Sequence, residues 1–263
     1  MQKRLTELFP FLLPLRKWQR KLCFYAAMRR DGARYAKEQR AERLSYLVYE
    51  TSCPMINEKT GFELKYQLNK VFNLRLAAQT LDGLLINPGE TFSFWQAVRY
   101  ADRHTPYKDG LAEINGVLRT EYGGGLCMLS NLLFWLLLHT ELTLVERHGH
   151  REKAFPEPPS EAPMGVDATV AEGWLDLKLK NETEQPFQLE IDFDDERIIG
   201  RVYCAAPANP PLIKNGGVRY VRERGEIYEY ADVLRSGTLI YTNRCRIAYT
   251  LPEGTEIEEE EQK

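Results

Sequence analysis

What this chain lacks already narrows it. Among its 263 residues no apolar run reaches the roughly 18–20 that a helix needs to span a bilayer. The longest run, Leu126 to Leu138, is interrupted by Cys127, Ser130 and Asn131 and reads as a buried helix. Cysteine is sparse: Cys23, Cys53, Cys127, Cys204 and Cys245 stand far apart with no C-x-x-C pair, which argues against a disulfide framework and for a reducing compartment. There is no phosphate-binding P-loop, no dinucleotide fingerprint and no Gly-x-Ser-x-Gly elbow, so nucleotide-driven ligation is not expected and no cofactor is implied. A secretory leader is not expected either. Pro10 and Pro14 break the segment Met1 to Leu15, and Arg16-Lys17 stand where a small-residue cleavage site belongs. The expected location is the cytoplasm.

What is present is an ordinary globular composition, 43% hydrophobic and 28% charged, with an uneven distribution of charge. Residues 1–40 carry eleven Lys and Arg against three Asp and Glu, so the rest of a chain of net charge −3 holds −11. A basic arm on an acidic body suits an anionic membrane surface, which would place the protein peripherally at the inner face of the membrane. The first reading of such an arm, however, is that it folds against the protein's own acidic surface. No nucleic-acid-binding signature accompanies the charge, so nucleic acid is not an expected partner.

Periodicity predicts an amphipathic helix from Arg16 to Gly32, carrying Trp18, Leu22, Tyr25 and Met28, and a second short helix to Arg43. A weak strand pattern covers 45–62. Asn69 then reads as the cap of a helix bearing Val71, Leu74, Ala78 and Leu81, stopped by Gly83. Asn87-Pro88-Gly89-Glu90 is a turn before a strand at 91–95, and Asn115-Gly116 signals a hairpin. The Gly123-Gly124-Gly125 turn opens the apolar helix at 126–138. After a proline-rich loop (Pro156, Pro158, Pro159, Pro163), a meander alternates from Leu175 to Tyr203, and residues 218–249 are again β-rich before an acidic, disordered end. The fold class is α+β, antiparallel strands around the buried helix. Its expected parts are a basic helical arm (1–44), a core domain (45–205) and a β-rich extension with an acidic tail (206–263).

Cys127 is the leading candidate for chemistry. A thiol in the first turn of a helix has its thiolate stabilised by free backbone N–H groups and the helix dipole, and those N–H groups can also serve an oxyanion. Gly123, Gly124 and Gly125 let backbone approach a ligand closely. Downstream lie His148 and His150, then Asp167, in an order that thiol hydrolases and acyltransferases use: nucleophile, general base, orienting carboxylate. His150 is the first choice of base and His148 the second. The ordinary reading of a free cysteine is a small buried apolar group. A zinc set from His148, His150 and Cys127 or Asp167 matches no established short motif, so no metal is expected. Trp95 is a candidate for lining a saccharide or peptide cleft, although aromatics of this kind are more often core.

Several segments are similar to the VanW family, whose known context is resistance to glycopeptide antibiotics. They are Phe9-Pro10-Phe11-Leu12-Leu13-Pro14, Pro88-Gly89-Glu90-Thr91-Phe92-Ser93-Phe94-Trp95, Gly123-Gly124-Gly125-Leu126-Cys127, Ser130-Asn131-Leu132-Leu133-Phe134-Trp135, Gly165-Val166-Asp167-Ala168-Thr169 and Tyr241-Thr242-Asn243-Arg244-Cys245. Family members place a glutamine after that cysteine and a serine after the second histidine; here Met128 and Arg151 stand there, and a thioether has no amide to donate. The resemblance implies an accessory protein of vancomycin resistance, and hence a peptidoglycan precursor or muropeptide as the partner. It implies no mechanism. A non-catalytic precursor-binding protein is the alternative to a thiol hydrolase or acyltransferase.

Overall fold

A computed structural model describes residues 10–57, 62–114, 117–153 and 160–259. A 3-10 turn (Pro10–Leu12) leads into α1 (Leu13–Met28), with Pro14 in the first helical turn, where a missing N–H breaks no bond. The second short helix does not form. Arg34–Tyr35 is instead strand β1, because Tyr35 and Ala36 are buried and the Ala36 N–H donates to the Thr91 carbonyl. Strand β2 (Tyr46–Pro54) follows, then α2 (Leu64–Ala78), which begins five residues before the expected cap. Asn69 lies inside α2, and its amide donates to the Asp109 carbonyl at 2.8 Å.

Next come β3 (Leu85–Ile86), the turn closed by Glu90 N–H on the Asn87 carbonyl, and β4 (Glu90–Ser93). The expected strand stops at Ser93, whose hydroxyl caps the short helix α3 (Phe94–Val98). Strands β5 (Asp109–Ile114) and β6 (Val117–Tyr122) pair antiparallel; the Asn115-Gly116 turn between them lies outside the described residues. The glycine turn then enters α4 (Leu126–Leu138). Strands β7 (Thr143–Glu146), β8 (Glu152–Lys153), β9 (Lys178–Lys180), β10 (Phe187–Phe193) and β11 (Arg197–Cys204) complete the middle of the chain. The long strands β12 (Ile213–Glu223), β13 (Glu226–Arg235) and β14 (Thr238–Ile247) and the short β15 (Ile257–Glu259) end it. Glu258 and Glu259, expected in a disordered end, pair in β15 beside β12. Pro156, Pro158, Pro159 and the chain beyond residue 259 lie outside the described residues.

The strands form sheets ordered β1-β4-β9-β7, β2-β11-β10-β3 and β15-β12-β13-β14-β8, with β5-β6 as a separate hairpin. Within the alternating run 175–203, β10 and β11 are neighbours, whereas β9 joins β4 and β7. Asn181 fixes that parting: its buried amide donates to the Ile86 and Gln185 carbonyls, 2.8 Å each, and turns the chain from one sheet to the next. The fold is α+β, and α4 is its centre. Leu129, Leu133, Phe134, Leu136, Leu137 and Leu138 are wholly buried in one continuous core with Leu74, Leu189 and Val202. Gly200 in β11 lets the helix lie close on the sheet, since a Cβ there would stand 3.3 Å from Leu132 Cδ2. Burying such leucines contributes about 1.5–3 kcal/mol each.

Candidate active site

The glycine turn fixes where Cys127 emerges. Gly125 is the N-cap of α4 at φ 102°, and Gly123 also has positive φ, conformations that residues with a Cβ avoid. Gly124 is required for a different reason: a Cβ on it would fall 2.2 Å from the Gly110 carbonyl oxygen. The Gly124 carbonyl accepts from Asn73 Nδ2 at 3.0 Å, and a Cβ on Gly125 would strike Lys70 Cγ. These close approaches inside the chain account for Gly124 and Gly125, and positive φ accounts for Gly123. Their outcome is a fixed helix N-terminus with the partly exposed Cys127 in its first turn.

Helical spacing then carries the site outward. Cys127, Ser130 and Asn131 stand at i, i+3 and i+4, one face of α4. All three bond to the segment after Gly165. Ser130 Oγ donates to the Ala168 carbonyl at 2.5 Å, and Asn131 Oδ1 accepts from the Ala168 N–H at 2.6 Å. Cys127 Sγ lies 3.5 Å from Thr169 Oγ1 and 3.6 Å from the Val170 carbonyl oxygen. The helix face thus holds residues 167–170 alongside the thiol.

Across this segment stands His150. Its Nδ1 is 2.8 Å from Asp167 Oδ1, and its backbone N–H donates to Asp167 Oδ2, so both carboxylate oxygens hold one residue. The imidazole and the Cys127 thiol are near enough to shift one another's ionisation, while the sulfur's hydrogen-bond contacts are those to Thr169 and Val170. With Nδ1 engaged by the carboxylate, Nε2 is the nitrogen left for sulfur. The structure therefore brings Cys127, His150 and Asp167 together. His148 is not in the cluster. Its Nε2 meets Glu146 Oε1 at 3.0 Å, and Glu146 also binds Lys178. Trp95 is buried in the core, its indole N–H donating to the Leu175 carbonyl at 2.8 Å. Met128, in the place of the family glutamine, packs against the core.

The electrostatics follow from burial and pairing. Burial opposes the Cys127 thiolate, but the His150 imidazolium and the Thr169 hydroxyl outweigh it, so the thiol ionises below its ordinary range. Burial likewise opposes charge on His150, and the Asp167 carboxylate and the Cys127 thiolate overcome it, raising the imidazole's affinity for its proton. Asp167 is held below the usual carboxylate range: burial works against its charge, and His150 and Arg147 more than offset that. Each of these shifts favours a thiolate–imidazolium pair backed by a carboxylate, whose titrations belong to the group rather than to single residues.

Residues without a site role in the sequence reading hold this triad. Arg147 Nε donates to the Asp167 carbonyl, and its Nη2 donates to Asn243 Oδ1 at 2.6 Å. The guanidinium also lies over the Tyr241 ring at 4.4 Å. Gly149 makes room for this, since a Cβ there would stand 2.3 Å from Asn243 Oδ1. The β14 strand thus buttresses a site whose other parts lie a hundred residues earlier. Thr169, Ser130 and Asn131 were accessible to helical spacing and adjacency to Asp167; Arg147 and Asn243 carried no local signal. Among the described residues no group of three or more His, Cys, Asp or Glu is arranged to hold a metal ion.

Compared with known proteins, residues 69–203 match the family described as VanW like protein. The chain is 55% identical, over 273 aligned positions covering 99% of each chain, to the vancomycin B-type resistance protein VanW of Enterococcus faecalis. It is 35% identical over 142 residues to the uncharacterized protein YoaR of Bacillus subtilis, covering 54% of this chain and 45% of that one. No solved structure matches it.

Proposed function

The chain belongs to the VanW family, and on that premise we propose that it is a cysteine hydrolase or acyltransferase acting on a peptidoglycan precursor or muropeptide in glycopeptide resistance. The observation that carries the reading is the convergence of Cys127, His150 and Asp167 at the N-terminus of α4. The relative's name, vancomycin B-type resistance protein, supplies the context. Antibiotics of that class bind the peptide end of cell-wall precursors, which makes an acyl bond in such a peptide the natural target.

In the proposed reaction the Cys127 thiolate attacks a carbonyl carbon, and backbone N–H groups of the first helical turn face the developing oxyanion. The C–S bond forms first; the tetrahedral oxyanion then re-forms its C=O bond as the C–N bond breaks, and the His150 imidazolium gives its proton to the departing amine. Water, deprotonated by the now neutral His150, then cleaves the thioester and restores the thiol pair; in a transferase an acceptor amine takes the water's place. Asp167 stays ionised and holds the imidazole in register. No step calls on a metal or cofactor.

The test is incubation of the full chain with purified muropeptides and precursor peptides, read by mass spectrometry. The expected result is a changed peptide population together with an acyl adduct on Cys127, both lost in Cys127→Ala. Equal turnover by wild type and Cys127→Ala, or none with a demonstrably reactive thiolate, would defeat the proposal.

A further inference from the structure

The helix α1 buries its C-terminal end in the body. Tyr25 and Met28 are buried with Tyr35, and Phe24 packs partly against them. Toward its N-terminus the helix shows solvent an apolar stripe. Phe11, Leu15, Trp18 and Leu22 stand at i, i+4, i+7 and i+11, and they are 75%, 62%, 58% and 50% exposed. A stripe of four large apolar side chains at helical spacing is not a scatter of single surface hydrophobics.

The charge around the stripe identifies its occupant. Residues 10–30 contain Arg16, Lys17, Arg20, Lys21, Arg29 and Arg30 and no acidic residue. Lys21 pairs with Glu172 and Lys17 approaches Glu121 at 3.9 Å, while Arg20 lies over the Trp174 ring at 4.4 Å. Arg16, Arg29 and Arg30 are exposed and form no ion pair among the described residues. A helix with exposed Trp, Phe and Leu on one face, flanked by unpaired arginines and free of carboxylates, has the chemistry of one lying in the interface of an anionic bilayer.

We propose that this helix docks the protein on an anionic phospholipid surface, with Phe11, Leu15, Trp18 and Leu22 entering the headgroup boundary. The docked helix would also orient the site. Glu121 lies two residues before Gly123, and Glu172 two residues after Val170, whose carbonyl touches the Cys127 sulfur. The body-side contacts of α1 thus fall on the chain just before the glycine turn and just after the segment that touches the thiol. If Cys127 acts as proposed above, its substrate is presented at the membrane surface, where lipid-linked acyl acceptors and donors lie. The docking itself does not depend on that chemistry.

The experiment is sedimentation of the full chain with vesicles of phosphatidylglycerol and phosphatidylcholine, with pure phosphatidylcholine as the neutral control. Wild type is expected to sediment with the anionic vesicles, and salt is expected to weaken this. The variant Trp18→Ser/Leu22→Ser, at two exposed positions that leave the fold intact, is expected to partition about tenfold less or worse. Cys127→Ala is expected to bind like wild type, which keeps this test separate from that of catalysis. Absence of wild-type binding, or undiminished binding by the double variant, would overturn the proposal. So would lipid-free dimerisation that the same double variant abolishes, since the stripe would then belong to a second copy.

Discussion

Replacing Asp167 by Asn is the sharpest probe of the site, because it removes one charge with almost no change of volume. The carboxylate oxygen lies 2.8 Å from His150 Nδ1. At an effective dielectric near 20, that separation corresponds to about 6 kcal/mol of gross attraction. Desolvation of both partners reduces the net, and breaking buried pairs costs about 3–5 kcal/mol in practice. The side chains are 24% and 13% exposed, so the lower figure applies, about 3 kcal/mol or about 2 pH units. Asn also tends to turn its amide NH2 toward Nδ1, moving the imidazole proton to Nε2, where it can no longer accept from sulfur. The assay is Cys127 alkylation against pH in a chain whose other four cysteines are serine. Asp167→Asn is expected to raise the labelling midpoint by about 2 pH units and slow labelling at pH 6 by about a hundredfold. An unmoved midpoint, with circular dichroism unchanged, would show that the carboxylate does not govern the thiol.

Other outcomes follow from the same geometry. In that alkylation assay His150→Ala should slow labelling at pH 6 and His148→Ala should not; equal effects would put both imidazoles at the thiol. Gly124→Ala, which forces a methyl onto the Gly110 carbonyl, should cost about 3 kcal/mol and lower Tm by about 6–12 °C in a thermal melt. A variant melting like wild type would mean that the turn relaxes freely. Burial pushes the Asp176 carboxyl up to about 6, despite hydrogen bonds from Ser93 and the Trp95 N–H. An acid whose folded pKa exceeds its unfolded value stabilises the fold below about pH 4, and that contribution, about 3 kcal/mol, is lost as pH rises through 6. Urea unfolding of Asp176→Asn should therefore gain on wild type by about that amount between pH 4 and 7. A pH-independent difference would contradict the sign.

The parts of this fold that were legible in the sequence are those written in local chemistry. The apolar stretch at 126–138 could only be a buried helix, and its glycine entry marked Cys127. The alternation in 187–203 and 218–247 gave the strand faces. The start of α2 was hidden because Leu64 and Leu68 are exposed, so its first turns show no apolar period. The two-residue strand β1 has too little length for any pattern, and only its parallel pairing with β4 makes it a strand. At the site, chain order suggested Cys127, His150 and Asp167, and the choice between histidines turned on Glu146, which claims His148 from two residues away. Arg147 and Asn243 stayed invisible because their bond spans 96 residues and neither neighbourhood hints at the other.

The pairing of β2 with β11 fixes when this protein can come into being. Glu50 and Arg201 sit opposite one another across 151 residues. A ribosome adding about 5–20 residues per second needs roughly 8–30 s to make that interval. For the last 63 residues of it, roughly 3–13 s, the leucines of α4 have been synthesised while β10 and β11 of the sheet beneath them are incomplete. The nascent chain therefore carries an unsheathed oily helix for that time, the kind of segment that hydrophobic-binding chaperones hold. The site is assembled late as well: the partners that favour the Cys127 thiolate lie in residues 147–170, and the strand behind Arg147, β14, is made after them.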